Sequence, residues 1–265
     1  MLHSLPQPDN RPATDGKKAD ALVKDAITTA GIKFAAVDHT IDAHVILSGL
    51  SLDLSARRIG VIGRNGSGKT TFARLLAGLI APTSGTVMID GINPAKDRRA
   101  ALALVGILFQ NPDHQIIFPT VIEEVAFGLR QMGQDDPDGA ADAVLAQFGK
   151  AHWRDEHVNN LSQGQKQLVC LMSILAMMPR ILILDEPFAG LDIPTRMQLA
   201  RYLDRYEGTL VHVSHDPSDL SDYDEVIWLE RGVLKGQGAA RDVLAAFADE
   251  MTRQGESDDI SDLSR

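Results

Sequence analysis

Residues 59–79 read IGVIGRNGSGKTTFARLLAGL, and this stretch decides the fold. Its first four residues form a continuous apolar run, which is typical of a strand buried in the middle of a sheet. From Phe72 onward, apolar residues recur at helical spacing. A glycine-rich turn joins the two segments. This order of strand, turn and helix predicts an α/β domain that binds phosphate groups at the turn.

The turn, GRNGSGKT at residues 63–70, fits the phosphate-loop pattern G-x-x-x-x-G-K-[ST] in the context that the pattern requires. The glycines let the backbone curl until its N–H groups and the helix N-terminus face phosphate oxygens. Lys69 is expected to reach the β- and γ-phosphates, and Thr70 to ligate Mg²⁺. The predicted nucleotide-binding residues of this segment are Gly63, Asn65, Gly66, Ser67, Gly68, Lys69, Thr70 and Thr71.

A second apolar run, ILIL at residues 181–184, ends in the acid pair Asp185-Glu186. A buried parallel strand would deliver both carboxyl groups to the carboxyl edge of the sheet, beside the phosphates. Asp185 suits the Mg²⁺ ligand shell. Glu186 is expected to polarise the attacking water, because phosphoryl transfer needs a positioned nucleophile more than covalent chemistry.

Other segments predict a mostly parallel sheet with helices on both faces. Residues 105–109 and 209–213 are short apolar or β-branched runs, like central strands. Residues 40–54 alternate apolar and polar side chains and predict short strands joined by a turn at Ser48-Gly49. Residues 224–234 predict a closing pair of strands around a turn, and a terminal helix is predicted over residues 241–251.

We therefore expect three regions in the chain. Residues 1–30 lack a sustained period and are expected to form a flexible extension. Residues 31–236 form the ATPase domain, with a helical insertion at about residues 111–165. Residues 237–265 form a terminal helix and an acidic tail.

Composition excludes several classes of protein. With 265 residues, 44% apolar and 23% charged, the chain can bury a substantial core, so it is neither disordered nor a disulfide miniprotein. Its single cysteine, Cys170, cannot form an internal disulfide. The net charge of −10 argues against a nucleic-acid-coating protein. No apolar run approaches the roughly 20 residues that a membrane-spanning helix needs.

A further motif, LSQGQ at residues 161–165, lies about twenty residues before the acid pair. It resembles the LSGGQ signature of the ATP-binding cassette (ABC) family of ATPases. Other short motifs resemble those of the same family: Gln110 the Q-loop, residues 189–192 the D-loop, and residues 213–216 the switch histidine. The resemblance covers roughly residues 32–236. It implies a P-loop NTPase with a RecA-like core sheet, an N-terminal antiparallel β part and an inserted α-helical subdomain.

The resemblance assigns further roles. Ser162, Gly164 and Gln165 begin a helix and form an anion site with no anion of its own. In the family two cassettes face each other, and each signature caps the γ-phosphate held by the other's phosphate loop. A second copy of this ATPase subunit is therefore the first expected partner. The other implied assignments are Glu186, His215, Gln110 and Lys69 as catalytic residues, Asp192 at the nucleotide, and Thr70, Gln110 and Asp185 at Mg²⁺.

The sequence departs from the family pattern in two places. The stretch over residues 37–41, where an aromatic residue usually stacks on adenine in the family, has none, so either Ile41 or His39 serves or the stacking is weak. In the signature, Gln163 replaces the usual glycine, and Leu168 stands where an arginine is common. His212, on the strand before the switch histidine, is interpreted as structural.

Three classes of biological task remain to be compared. A chromosome-maintenance ATPase needs a long coiled coil between Lys69 and the signature, for which there is no room. A translation-factor ATPase normally carries two cassettes, whereas this chain has one. Membrane transport is therefore favoured. Residues 111–121, NPDHQIIFPTV, resemble the energy-coupling-factor subgroup of importers and are expected to contact a transmembrane coupling subunit.

The substrate would be selected by a separate substrate-binding membrane protein, so the sequence gives only indirect hints. Residues 55–60 and 71–76 look most like biotin-importer ATPases. Cobalt or nickel importers, a conventional importer and a non-transport ATPase are the successive alternatives. In the favoured interpretation the chain lies peripherally at the cytoplasmic face of the inner membrane and is held there by protein partners. No nucleic-acid partner is expected.

Overall fold

The computed structural model describes residues 29–256. The predicted N-terminal extension up to residue 28 and the acidic tail from residue 257 lie outside the described residues. The strands and helices, in chain order, are β1 (Ile32–Ile41), β2 (His44–Leu54), β3 (Arg58–Ile62), α1 (Lys69–Leu76), β4 (Ser84–Ile89), α2 (Arg98–Leu104), β5 (Val105–Leu108), α3 (Val121–Gln131), α4 (Pro137–Gln147), α5 (Gln163–Ala176), β6 (Ile181–Asp185), α6 (Ile193–Asp204), β7 (Thr209–Ser214), β8 (Glu225–Glu230), β9 (Val233–Ala239) and α7 (Ala240–Gly255).

Two sheets form the frame of the protein. The larger has the strand order β5-β6-β7-β3-β8-β9, with every pair parallel except the antiparallel edge pair β8-β9. The smaller is antiparallel, in the order β2-β1-β4. Phe34 of the small sheet stacks on Phe72 of α1, with ring centroids 4.7 Å apart. The predicted fold class, a mostly parallel core sheet with an N-terminal antiparallel part, is confirmed.

Strand register determines where the motifs meet. Ile62 pairs with Ser214, Asp185 pairs with Val213, and Leu108 pairs with Leu184. Since these strands are parallel, the residues that follow β3, β5, β6 and β7 come out at one edge of the sheet. The phosphate loop, Gln110, the acid pair and His215 are therefore brought to the same edge by the core sheet.

The helical insertion packs beside the sheet in an apolar cluster that it shares with α6 and with strands β5, β6 and β7. Val125 and Leu129 of α3, Leu145 of α4, and Val169 and Met172 of α5 are buried in one apolar cluster. The helix α5 begins at Gln163 and continues to Ala176. The helical region therefore extends past the predicted boundary near residue 165.

One local prediction is wrong. Ser48-Gly49 is not a turn between strands, because β2 is continuous from His44 to Leu54. The reversal occurs at Asp42-Ala43, where both residues have positive φ. At Gly49 (φ +59°) the ladder shifts register, and Asp38 accepts a hydrogen bond from the Gly49 N–H at 2.7 Å. A β-bulge breaks the alternation of side chains much as a turn does, which explains the error.

The C-terminal part continues the same core. Strand β9 runs to Ala239, so the boundary drawn at residue 236 falls inside a strand. Phe247 of α7 contacts Trp228 of β8 edge-to-face, with centroids 5.5 Å apart. Within residues 29–256, no helix is both long and apolar enough to cross a bilayer.

Candidate nucleotide site

The turn between β3 and α1 is shaped by its glycines. Gly66 and Gly68 have φ values of +79° and +98°, which side-chain-bearing residues rarely adopt. A Cβ at Gly63 would lie 2.3 Å from the Leu229 carbonyl oxygen, so only glycine fits there. Helix α1 starts at Lys69 with no side-chain cap, which leaves the N–H groups of its first turn available to an anion.

Lys69 is held across this turn. Its Nζ donates hydrogen bonds to the Gly63 and Arg64 carbonyl oxygens, at 2.7 Å and 3.0 Å. Burial lowers the pKa of Lys69, and the nearby carboxylates of Glu186 and Asp185 oppose that shift. The amine is thus held by neutral carbonyl groups, so its positive charge stays available to bind a phosphate.

Ser67 supplies a further polar group to the loop. Its Oγ is buried and has no hydrogen-bond partner within the protein. A buried hydroxyl normally requires a partner, because leaving it unpaired is costly. Ser67 lines a small pocket with Glu230 and Arg231 and not the cleft that Lys69 lines, so this hydroxyl is not placed to meet a bound phosphate.

Thr70 and Asp185 form the second part of the site. Thr70 Oγ1 donates to Asp185 Oδ1 at 3.3 Å. Asp185 is buried, and desolvation raises its pKa although the Thr70 hydrogen bond lowers it. A hydroxyl and a carboxylate are oxygen ligands of the type that Mg²⁺ prefers. A cation here would also relieve the desolvation cost of the carboxylate, so the residues present fit Mg²⁺.

Glu186 follows directly, in an unusual backbone conformation. It has φ +50°, in the left-handed region that residues other than glycine seldom occupy. Its Oε2 lies 3.0 Å from Nδ1 of His215, the residue after β7. The Glu186 side chain is 17% exposed and that of His215 57% exposed. The pair therefore borders open solvent at the edge of the sheet.

These groups line one cleft of about 540 Å³. The predicted residues that line it are Asn65, Gly66, Gly68, Lys69, Thr70, Thr71, Gln110, Asp185, Glu186 and His215. Ile46 lines the same cleft, although it belongs to none of the sequence motifs. Its position makes it a better apolar contact for a base than His39, which is buried. Ile41 is 49% exposed and remains a candidate.

Gln110 is placed by two residues that sequence reasoning missed. The backbone N–H of Phe109 donates to Gln115 Oε1 at 3.1 Å. The Phe109 carbonyl oxygen accepts from Gln167 Nε2 at 3.0 Å. Gln167 lies on α5 and is fully buried, so the signature helix directly positions the segment that carries Gln110. A glutamine on the apolar face of a helix is the signal that could have identified it.

The signature begins α5, as predicted. Ser162 is the N-cap; its Oγ accepts from the Gln165 N–H at 3.3 Å, and Gln165 Oε1 accepts from the Ser162 N–H at 2.8 Å. Asp192 caps α6 in the same way, accepting from the Thr195 N–H at 2.9 Å. A Cβ at Gly164 would lie 2.4 Å from Thr195 Cγ2, so the starts of these two helices pack tightly.

None of the predicted signature residues, nor Asp192, lines the 540 Å³ cleft of the described chain. Ser162 and Asp192 are exposed. Gln163, the departure from the family signature, instead borders a neighbouring cleft of about 630 Å³, together with Thr70 and Gln110. The structure therefore brings together the phosphate loop, acid pair and switch histidine, and leaves the signature and Asp192 at the surface.

His212 has the structural environment that was expected for it. It is buried on β7, and its Nδ1 lies 2.8 Å from the hydroxyl of Tyr223. Burial lowers the pKa of His212 to about 3, so the ring stays neutral. It contributes packing and a hydrogen bond rather than charge.

Comparison with known proteins identifies the family. The profile of the ABC transporter family matches residues 47–189, which is more than half of the chain and includes the phosphate loop, the signature and the acid pair. The chain belongs to the ABC transporter family. It is an ATPase, as the ATP-binding members of this family are.

Individual relatives refine the likeness within the ABC family. The chain is 47% identical over 208 residues to the biotin transport ATP-binding protein BioM of Rhodobacter capsulatus, covering 78% of this chain and 89% of the relative. It is 38% identical over 185 residues to the energy-coupling factor transporter ATP-binding protein EcfA1 of Fusobacterium nucleatum, covering 67% and 70%.

Solved structures agree with this fold. The chain is similar to cbiO1 of Clostridium perfringens, part of the ABC transporter complex cbiONQ. The TM-score is 0.68 with 28% identity, over 84% of this ABC ATPase and 93% of that chain. It also has the fold of a dimeric bacterial ABC transporter cassette, at TM-score 0.69 and 24% identity.

Proposed function

We propose that this ABC ATPase hydrolyses ATP with Mg²⁺ to energise biotin uptake by an importer of the energy-coupling-factor type. The observation that carries the proposal is the 47% identity to BioM, which covers 89% of that protein. The likeness to EcfA1 supports the energy-coupling-factor type. Cobalt or nickel uptake is the second candidate, favoured by the structural likeness to cbiO1.

The residues of the cleft divide the work of hydrolysis. Lys69 and the α1 N-terminus would bind the phosphates, and Thr70, Asp185 and Gln110, which line the same cleft, would hold Mg²⁺; the ion would supply positive charge for the phosphate oxygens. Glu186 orients the attacking water. His215, within hydrogen-bond distance of Glu186, contacts the γ-phosphate edge. Since Lys69 is already positioned by carbonyl oxygens, little reorganisation precedes the reaction.

The active form is a symmetric dimer of two copies. Cassettes of this family function as dimers within transporter complexes, and each copy here exposes Ser162 and Asp192 away from its own cleft. Ile193 and Met197 lie one turn apart beside Asp192 and are 75% and 58% exposed. A second copy that covered this apolar pair, with each signature over the other's phosphates, would give two shared sites.

The transmembrane coupling subunit docks in a separate groove of about 370 Å³, between the core sheet and the helical insertion. Its apolar wall includes Ile117, 69% exposed, and Leu79, 50% exposed. Glu124 is buried and its Oε2 accepts the N–H groups of Ile117 and Phe118, both at 2.9 Å. The predicted segment Asn111 to Val121 thus supplies one fixed wall of the groove.

This groove accounts for attachment to the membrane. ATP-binding subunits of transporters are membrane-associated, and we place this one peripherally at the cytoplasmic face of the inner membrane through its protein partners. Gln115 lines the groove and also bonds the Phe109 N–H next to Gln110. Because one short segment touches both sites, nucleotide state and groove shape are mechanically linked.

Copurification tests the proposal. The chain, expressed with its membrane partners, is isolated as a complex and assayed for bound and transported biotin, Co²⁺ and Ni²⁺. We expect biotin uptake that depends on ATP and is lost with Glu186→Gln. Uptake of Co²⁺ or Ni²⁺ without uptake of biotin would show that the metal ion, and not biotin, is the transported substrate. Failure of the chain to copurify with any membrane protein would contradict the importer assignment.

A further inference from the structure

Arg196 lies on α6, the helix that follows Asp192. Its side chain contacts residues of two other segments at the edge of the sheet. Its Nη2 pairs with Oδ1 of Asp219, which belongs to the short 3₁₀ turn Pro217–Leu220 after His215. The Arg196 guanidinium also lies over the ring of Phe188, with its Cζ 5.1 Å from the ring centroid. Phe188 is two residues beyond Glu186. Arg196 is not among the residues that line the nucleotide cleft.

Asp219 is also linked by hydrogen bonds to the neighbours of His215. Its Oδ2 accepts from Ser214 Oγ at 2.8 Å, and Ser214 Oγ in turn accepts from the Asp216 N–H at 3.0 Å. Ser214 and Asp216 are the two residues that flank His215. The Asp219 side chain is only 9% exposed, so its pairing with Arg196 is shielded from solvent more than a surface ion pair is.

These contacts connect the chain segments that carry Glu186 and His215. On one side, Arg196 contacts the ring of Phe188, two residues after Glu186 in the chain; on the other, Asp219 accepts a hydrogen bond from Ser214, the residue before His215. His215 is 57% exposed and Glu186 has a strained backbone, so burial alone does not fix either. We propose that Arg196 and Asp219 are positioning residues that hold His215 and Glu186 in register for hydrolysis. The inference rests on the roles proposed above for that pair.

Substitutions separate positioning from binding and from stability. The full-length protein with Arg196→Met or Asp219→Asn is compared with Arg201→Met, an exposed arginine on the same helix, as the matched control. We expect kcat to fall about tenfold or more while the Kd for ATP changes less than about twofold. Arg196→Lys, which keeps the charge that faces Asp219, should restore kcat to within about threefold of the unchanged protein.

The outcomes are distinguishable. An unchanged kcat in both variants, or a fall in melting temperature with normal kcat, overturns the inference. If Arg196→Met does not fold, Asp219→Asn and Arg196→Lys give the answer; if none of the three folds, the pair is structural and the inference fails. Glu186→Gln and His215→Ala, measured alongside, test the proposed roles themselves. Full hydrolysis by those two variants would refute the proposed mechanism. If they lose hydrolysis while Arg196→Met keeps a normal kcat, only the positioning inference is refuted.

Discussion

Nδ1 of His215 lies 3.0 Å from Oε2 of Glu186, although 29 positions separate the two residues in the chain. The distance follows from the parallel pairing of β6 with β7, in which Asp185 is opposite Val213. Glu186 and His215 each directly follow their strand, and this register brings them to the same edge of the sheet, one position apart. A carboxylate that can accept a proton from water and an imidazole that can face phosphate are thus held side by side by backbone geometry.

The first prediction separates binding from turnover within this site. Lys69→Ala removes a charged donor to phosphate and should weaken ATP binding by about tenfold or more. Glu186→Gln should keep ATP affinity but lower kcat by about a hundredfold or more, because the amide fills the space and orients water poorly. Nucleotide affinity by calorimetry and turnover by phosphate release measure the two effects. Hydrolysis near the normal rate with Glu186→Gln would remove that carboxylate from the mechanism.

The second prediction concerns association of two copies. With Glu186→Gln, saturating ATP should produce a dimer in sedimentation velocity, whereas ADP should not, because the signature is proposed to bind the γ-phosphate held by the other copy. Adding Met197→Asp, which places a charge on the exposed apolar pair beside Asp192, should return the protein to a monomer with ATP still bound. A monomer under saturating ATP without that change would count against shared sites.

The third prediction follows from the buried carboxyl group of Asp185. Burial raises the folded-state pKa of Asp185 above its usual 3.8, so this group favours folding only below that pH, and the contribution is lost as pH rises through the folded pKa. At neutral pH the ionised carboxylate therefore destabilises the nucleotide-free protein. Asp185→Asn should raise the melting temperature at pH 7, with a smaller gain at pH 5, while abolishing Mg²⁺-dependent hydrolysis. A lower melting temperature at pH 7 would show that its contacts to Thr70, Lys69 and Arg74 outweigh desolvation.

Local motifs and strand periodicity predicted most of this fold and most of the cleft. The phosphate loop and acid pair each follow an apolar run, and parallel strands necessarily bring such residues to one edge. Contacts between distant segments could not be predicted in this way. The bond from Gln167 to the Phe109 carbonyl and the pairing of Arg196 with Asp219 depend on how α5 and α6 pack, which no local pattern specifies.

The fourth prediction concerns recognition of the base. No aromatic ring was predicted for the adenine, and Ile46 is an apolar residue that lines the described cleft. Face stacking contributes about 1 kcal/mol, so its loss should leave base recognition loose. We expect GTP to be hydrolysed within about tenfold of the rate for ATP. Ile46→Asp should raise the KM for both nucleotides by similar factors. A much stronger preference for ATP would indicate a purine-reading group elsewhere.

The last prediction concerns the groove proposed for the coupling subunit. Ile117 and Phe118 are adjacent apolar residues of the segment 111–121, and the structure separates their roles. Phe118 is half-buried against Phe127, with ring centroids 5.0 Å apart, so Phe118→Asp would disturb the segment itself. Ile117 is 69% exposed and its side chain borders the groove.

Ile117→Asp should therefore leave the melting temperature and basal ATPase of the isolated chain nearly unchanged, since a surface substitution of this kind alters stability by about 0.5 kcal/mol or less. It should lower copurification with the coupling subunit by about tenfold or more, because docking would bury an unpaired carboxylate. Biotin uptake should fall in parallel. Val233→Asp, at an exposed apolar position on the edge strand β9, is the matched control and should affect neither. If Ile117→Asp unfolds the chain, the residue is part of the core; if binding and uptake persist, the coupling subunit docks on another surface and the link between Gln115 and Gln110 serves no transport role.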